Sequence, residues 1–284
     1  MIVGGQEVNP PYSIPWQVYI APMGRGAACG GTLLSERHVL TAAHCTQGWF
    51  NGPFREEFDA VVGEHRLSDG TASDGTKYRV CNFVDHPKYV NNLHLKGKAH
   101  IDYDFSILHL KKPVQFGPRV EKAHLPPAHF GNDFLAGKWL TVSGWGSLYF
   151  KGPMPDVLYS VKVPGITQAQ CISNYNRDRI KSNMICAGRP NGKIDACVGD
   201  SGGTFSHFVI SIYHKIETYI GFNFNVDFKN HKNLGPLTYT VNGKTYVVGV
   251  VSWGDGCAAP NKAGIYGRVT KVLPWINEQL SKTC

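Results

Sequence analysis

Short apolar runs, β-branched or alternating in polarity and each closed by Gly, Pro, Asn or Asp, set the strongest limit on what this 284-residue chain can fold into. They fall at 16–20, 31–34, 38–41, 60–62, 105–110, 140–143 and 246–252. Runs this short, separated by turn residues, predict a β-sandwich or a pair of β-barrels. One helix is predicted, over 272–280, where Val272, Leu273, Ile276 and Leu280 share a face. No long linker, solenoid-period repeat or low-complexity tract divides the chain, so any two halves must share an interface.

No apolar run approaches the length that spans a bilayer. The first residues, MIVGGQEV, lack a charged stretch followed by an apolar one, so no signal peptide is expected in them. That leaves a secreted chain whose leader has been removed, or a cytosolic one. The eight cysteines favour secretion: their count is even, and they form no CxxC pair and no Cys/His cluster at zinc spacing. The formal net charge of +8 could attract nucleic acid or a glycosaminoglycan. The basic residues are scattered, however, with Lys96-Gly97-Lys98 the densest stretch, and read as solvated surface.

Three stretches carry chemistry: Thr41-Ala42-Ala43-His44-Cys45, Asp104-Phe105-Ser106-Ile107-Leu108 and Gly199-Asp200-Ser201-Gly202-Gly203. Each alone has an ordinary structural explanation, a packed His or a turn Asp. In the order His, Asp, Ser, and together with Ile2-Val3-Gly4-Gly5, Ser143-Gly144-Trp145-Gly146 and Val251-Ser252-Trp253-Gly254, they resemble the chymotrypsin/trypsin family of serine endopeptidases. The resemblance runs from Ile2 to the C-terminus, one segment apart.

That resemblance implies an all-β fold of two antiparallel Greek-key β-barrels, about 2–117 and 118–273, with a C-terminal α-helix over about 272–282. It implies a cleft between the barrels in which His44 and Asp104 of the first meet Ser201 of the second. A serine hydroxyl is a poor nucleophile at neutral pH, so Ser201 needs His44 as base. Asp104 would fix the imidazole tautomer, and the backbone N–H groups of Gly199 and Ser201 would hold the oxyanion. Asp195, six residues before Ser201, falls where trypsin-like members carry the base of the primary pocket, which implies cleavage after Arg or Lys. Gly254 and Gly264 would leave room for a long side chain, and Ala196, where many trypsins have Ser, would favour bidentate Arg over Lys. The edge Ser252-Trp253-Gly254 would take the substrate backbone as an added strand. A free amine at Ile2 would pair with Asp200 on activation of a zymogen.

By family position the disulfides are Cys29–Cys45, Cys171–Cys186 and Cys197–Cys257, and the remaining Cys81 and Cys284 would form a fourth. The segments 46–60 and 90–103 look longer than in digestive trypsins and would border the cleft, to narrow specificity or as neutral insertions. Glu64 and Asp74 flank a loop that binds calcium in some relatives, but their spacing is poor, and neither a metal nor a cofactor is expected. The implied partners are protein or peptide substrates and protein protease inhibitors, with no nucleic acid and no membrane span. The implied protein is a secreted, extracellular monomer.

One segment breaks the pattern. Asp-Ser-Gly-Gly ordinarily runs on into Pro-Leu, but here Pro236-Leu237 comes only after 32 further residues, 204–235. Removing them restores GDSGGPLTY. The family also commonly has a disulfide four residues before Gly144 and three after that Pro; Leu140 and Tyr239 stand there, so both partners are missing together. The segment has no Pro or Cys and is rich in Phe, Ile, Tyr, Asn and Lys, whose codons are mostly AT-rich. Gly203 can be encoded GGT and Leu234-Gly235 TTA-GGN, which supplies intron-like borders. The leading reading is a retained, in-frame intron; the alternative is a genuine long loop, an uncommon feature in a compact domain. In function the alternative is a catalytically inactive homologue with a binding or regulatory role.

Overall fold

The computed structural model describes residues 2–22, 29–50, 58–68, 71–92, 100–148, 155–175, 177–192, 195–196, 234–255 and 260–284. Six strands make a closed antiparallel barrel: β1 (Gln17–Pro22), β2 (Cys29–Ser35), β3 (His38–Thr41), β4 (Phe58–Val62), β5 (Thr76–Asp85) and β6 (Ser106–Leu110), in the cyclic order 1-4-5-6-3-2. Six more close a second: β7 (Trp139–Gly144), β8 (Tyr159–Ile166), β9 (Met184–Ala187), β10 (Leu234–Val241), β11 (Lys244–Trp253) and β12 (Gly264–Arg268), in the order 7-10-11-12-9-8. The second barrel therefore repeats the strand order of the first. Two antiparallel β-barrels are what the short turn-bounded runs call for, and closure removes the exposed edges that an open sheet would leave.

The first barrel's core is filled by Val18, Ile20, Leu33, Leu40, Phe105 and Ile107. The second's is filled by Leu140, Val142, Val163, Ile185, Leu237 and Tyr266. Polar bonds cross the seam: Ser143 Oγ donates to Gln17 Oε1 at 2.7 Å, and Trp145 Nε1 donates to the His65 carbonyl at 3.1 Å. The N-terminal residues, grouped with the first barrel from sequence, run along the second instead. Gln6–Glu7 pairs with Tyr159–Ser160 of β8, and Ile2–Val3 pairs with Asp195–Ala196.

The sequence predicts one helix, and the structure has more. The C-terminal one spans Leu273–Leu280, with Val272 as its N-cap, and buries Trp275 and Ile276 in the first barrel's core. Burying such side chains contributes roughly 1.5–3 kcal/mol each. Among the described residues the other α-helices are α1 (Ala43–Phe50), the one-turn α2 (Asn132–Leu135) and α3 (Gln168–Tyr175). The longer segments join this frame in part: 46–50 continue α1, and Val90–Asn91 pairs with Ile101–Asp102.

Disulfides Cys29–Cys45, Cys171–Cys186 and Cys81–Cys284 are present. The first two follow the family positions, and the third ties the chain's end to β5. Cys197 and Cys257 lie outside the described residues.

Candidate active site

Asp104 sits just before β6, and the chain reaches it through Tyr103, whose φ of +46° is left-handed. Such a conformation costs a non-glycine residue about 1–3 kcal/mol and persists only where the surroundings impose it. Here the Tyr103 ring stacks on His86, with centroids 4.6 Å apart. His44 opens α1 directly after β3, and the Cys29–Cys45 bridge pins the residue beside it.

These two approaches bring both side chains together. His44 Nδ1 lies 2.8 Å from Asp104 Oδ2, and the His44 backbone N–H donates to Oδ1 at 2.9 Å. Ser252 Oγ donates to Oδ2 from the second barrel at 2.5 Å. Burial pushes the Asp104 carboxyl up, but the facing His44 and the donors from His44 and Ser252 outweigh it and hold it below its ordinary value. An ionised carboxylate can only accept, so Nδ1 carries the proton and donates. In the neutral imidazole Nε2 is then left as an acceptor, the form a general base requires. His44 is half-buried while Asp104 is fully buried, so the ring keeps access to solvent over an enclosed charge.

The other predicted residues divide by position. Ser252 and Trp253 end β11, followed by Gly254, where an added Cβ would meet nothing within 4 Å. Gly264 starts β12 and is buried. Asp195 and Ala196 form a two-residue strand whose backbone pairs with Ile2–Val3. Ser201, Gly199 and Asp200 lie outside the described residues.

Sequence reasoning assigns Ser252 to the substrate edge through its backbone and misses the hydroxyl's bond to Asp104. It also misses the rim beside Trp253. Arg179 donates to both carboxylate oxygens of Asp255, and its guanidinium lies 4.7 Å from the Trp253 ring centroid. The Arg179 bond holds the Asp255 carboxyl below its ordinary value. No motif signals this pair, because the two residues are 76 positions apart.

Of the described groups that could suggest a metal, Cys29, His44 and Cys45 offer ligand atoms within 4.8 Å of one another. The two sulfurs are bonded to each other and are not thiolates. Glu64 instead accepts the backbone N–H groups of Ser73, Asp74 and Gly75, while Asp74 accepts those of His65 and Arg66 and the Tyr12 hydroxyl.

Comparison with known proteins bears on the whole chain. The family model described as Trypsin matches residues 2–209 and 235–276 and passes over those between. Over 282 residues the chain is 33% identical to the vitellin-degrading protease of Bombyx mori, which covers 99% of this chain and 86% of that protein.

Proposed function

From the premise that this chain belongs to the trypsin family of serine endopeptidases, we propose that it hydrolyses peptide bonds after Arg and Lys through an acyl-enzyme. Ser201 attacks the scissile carbonyl while His44 Nε2 takes its proton and later passes it to the leaving amine. Asp104 keeps the imidazole in that tautomer and stabilises the imidazolium. The N–H groups of Gly199 and Ser201 hold the oxyanion, each worth about 3 kcal/mol of transition-state stabilisation. The observation that carries this reading is the buried Asp104 carboxylate bonded to both nitrogens of His44 that can reach it, backbone and Nδ1.

Asp195 receives the substrate cation, and the Ser252–Gly254 edge holds the substrate backbone. Ile2, beside Asp195–Ala196 by its backbone pairing, provides the amine that meets Asp200 after activation. The enzyme works as an extracellular monomer, subject to protein inhibitors. The three disulfides support an oxidising compartment.

The test is hydrolysis of a short Arg-ending peptide by the chain starting at Ile2, beside Ser201→Ala. Wild-type turnover that vanishes in the variant supports the proposal. A chain with no turnover that still binds a peptide inhibitor supports an inactive, regulatory homologue. The passed-over residues 210–234 favour that second reading, since they interrupt the chain just after the nucleophile.

A further inference from the structure

Trp139, on the outer face at the start of β7, is 52% exposed, the most exposed large hydrophobic side chain among the described residues. It borders a groove of about 590 Å³, with Lys138, Thr141, Lys162, Tyr239 and Thr240 around it. We infer that this groove is a binding site for an acidic saccharide, one bearing sulfate or carboxylate groups on its rings.

The charge in the groove has one sign. Lys138 and Lys162 line it, and the Arg189 guanidinium lies 5.3 Å from the Trp139 ring centroid. Among the described residues none of the three has a carboxylate partner, and the buried Arg189 Nε has no hydrogen-bond partner. The lining contains no Asp or Glu. Three cations with no carboxylate partner among the described residues, beside an exposed indole, make an anion the complementary ligand. Each lysine ammonium has donors to give an oxyanion.

The wall of the groove is built where the family's common disulfide is missing. Tyr239 takes one of the two cysteine positions, and its ring packs against Phe130 and Phe134, with centroids 5.7 and 6.3 Å away. Phe130 and Phe134 stack on each other at 4.5 Å, and Lys138 Nζ sits 4.9 Å from the Phe134 ring centroid. An aromatic cluster thus replaces a covalent link and fixes Lys138 and Tyr239 beside the open indole.

A saccharide fits this lining better than an acidic peptide. Sugar rings present a flat C–H face to an indole and hydroxyls at their edge, which Thr141, Thr240 and Tyr239 can meet. A peptide would bind best as an added strand. At this place β7 is already paired on both sides, to β8 and β10, so no edge is free. Along β7 the groove is about 17 Å from Gly144, which faces Leu234 where β10 begins. Ligand there leaves the proposed catalytic cleft open, so the site would hold the enzyme on an anionic matrix while it works.

The experiment measures binding of a fully sulfated heparin-derived tetrasaccharide to the full chain by calorimetry and by tryptophan fluorescence. Lys138→Gln/Lys162→Gln should weaken it at least about tenfold, since two charge-assisted contacts are lost. Trp139→Ala should weaken it and abolish the fluorescence change, while Lys111→Gln/Lys112→Gln, with the same loss of charge elsewhere, should change it less than about twofold. An unchanged unfolding midpoint shows that each variant is folded. The inference is overturned by equal weakening in the two lysine pairs, by undiminished binding in Trp139→Ala, or by equal binding of an acidic peptide of the same charge.

Discussion

Ser252 Oγ, at the end of β11, lies 2.5 Å from the Asp104 oxygen that also faces His44 Nδ1. A second-barrel hydroxyl thus completes the shell of a first-barrel carboxylate that is fully buried. Hydrogen bonds to charged groups contribute about 1.5–3 kcal/mol. Ser252→Ala should therefore lower kcat/KM on an Arg peptide about tenfold or more and let the Asp104 carboxyl rise toward its ordinary value. Ser252→Thr keeps the hydroxyl and should retain most activity. A Ser252→Ala enzyme within twofold of wild type would show that the bond does not matter to catalysis.

Asp104→Asn tests the tautomer directly. The amide nitrogen of Asn donates, so Nδ1 would have to accept and Nε2 would carry the proton. The fold should survive, with kcat down about 10⁴-fold at neutral pH. Retention of a tenth of wild-type turnover would show that the Asp104 carboxylate is not what fixes the His44 tautomer.

Specificity should follow Asp195. Asp195→Ser removes the carboxylate that a substrate cation pairs with, leaving that cation buried without a counter-charge. Turnover of Arg substrates should fall by orders of magnitude, and wild type should prefer Arg to Lys and cleave poorly after Phe. Brisk wild-type cleavage after Phe would overturn the pocket assignment.

What the sequence showed and hid follows from how each element is held. His38–Thr41 is read to the residue because all four positions are buried between paired strands, leaving a continuous run to find. Helix α1 has little helical signal of its own. It is tied down by Thr46 Oγ and Gln47 Nε2, which donate to the two oxygens of Asp85 at 2.6 and 2.8 Å, and no local pattern announces that carboxylate. Helix α3 carried a mark that the one-helix reading passed over: Thr167 Oγ1 accepts the Gln170 N–H at 3.1 Å, and Thr-x-x-Gln is the sequence mark of such a cap. At the site, His44 and Asp104 are legible because each stands in a motif. The Ser252 hydroxyl's bond to Asp104 is not, because that contact depends on how the barrels meet.

A histidine pair under the C-terminus should make stability depend on pH. His38 and His109 face each other across β3 and β6, with rings 5.0 Å apart. His38 is held by Ser35 Oγ and the Lys282 carbonyl, beside Arg37, and the buried His109 faces the same Lys282 backbone. Burial lowers both pKa values below 6.5. The folded state then holds fewer of these protons than the unfolded one, so their contribution is present above 6.5 and lost as pH falls below it. Glu64 acts in the opposite sense. Burial and Asp74 raise it to about 7, so its contribution is present below its ordinary 4.5 and lost as pH rises through 7. His109→Phe should leave the Glu64 contribution in place and flatten only the acid side. Urea midpoints for both proteins between about pH 5 and pH 8 check this; identical slopes below 6.5 would refute it.

Deleting 204–235 should raise specific activity and soluble yield. Register is the first reason: Pro236 pairs with Val250, and Leu237, which pairs with Gly249, is fully buried, so the family strand resumes at once where the segment ends. Glycine is the second. A Cβ at Gly235 would lie 2.5 Å from Gln17 Nε2 and 2.8 Å from the Ser143 carbonyl, so this place accepts no side chain. The deletion joins Gly203 to Pro236 and puts a glycine there again. The third reason is that both barrels close on themselves, so neither leaves a gap in its ring of strands for a further strand to fill. Closing a loop of this length costs only a few kcal/mol of entropy, so the longer chain can fold. Its apolar side chains would still add adhesive surface near the nucleophile. Both proteins, each starting at Ile2, are to be assayed side by side on an Arg peptide, with soluble yield recorded. Loss of activity on deletion, against brisk cleavage by the longer chain, would establish the segment as a working part of the enzyme and end the retained-intron reading.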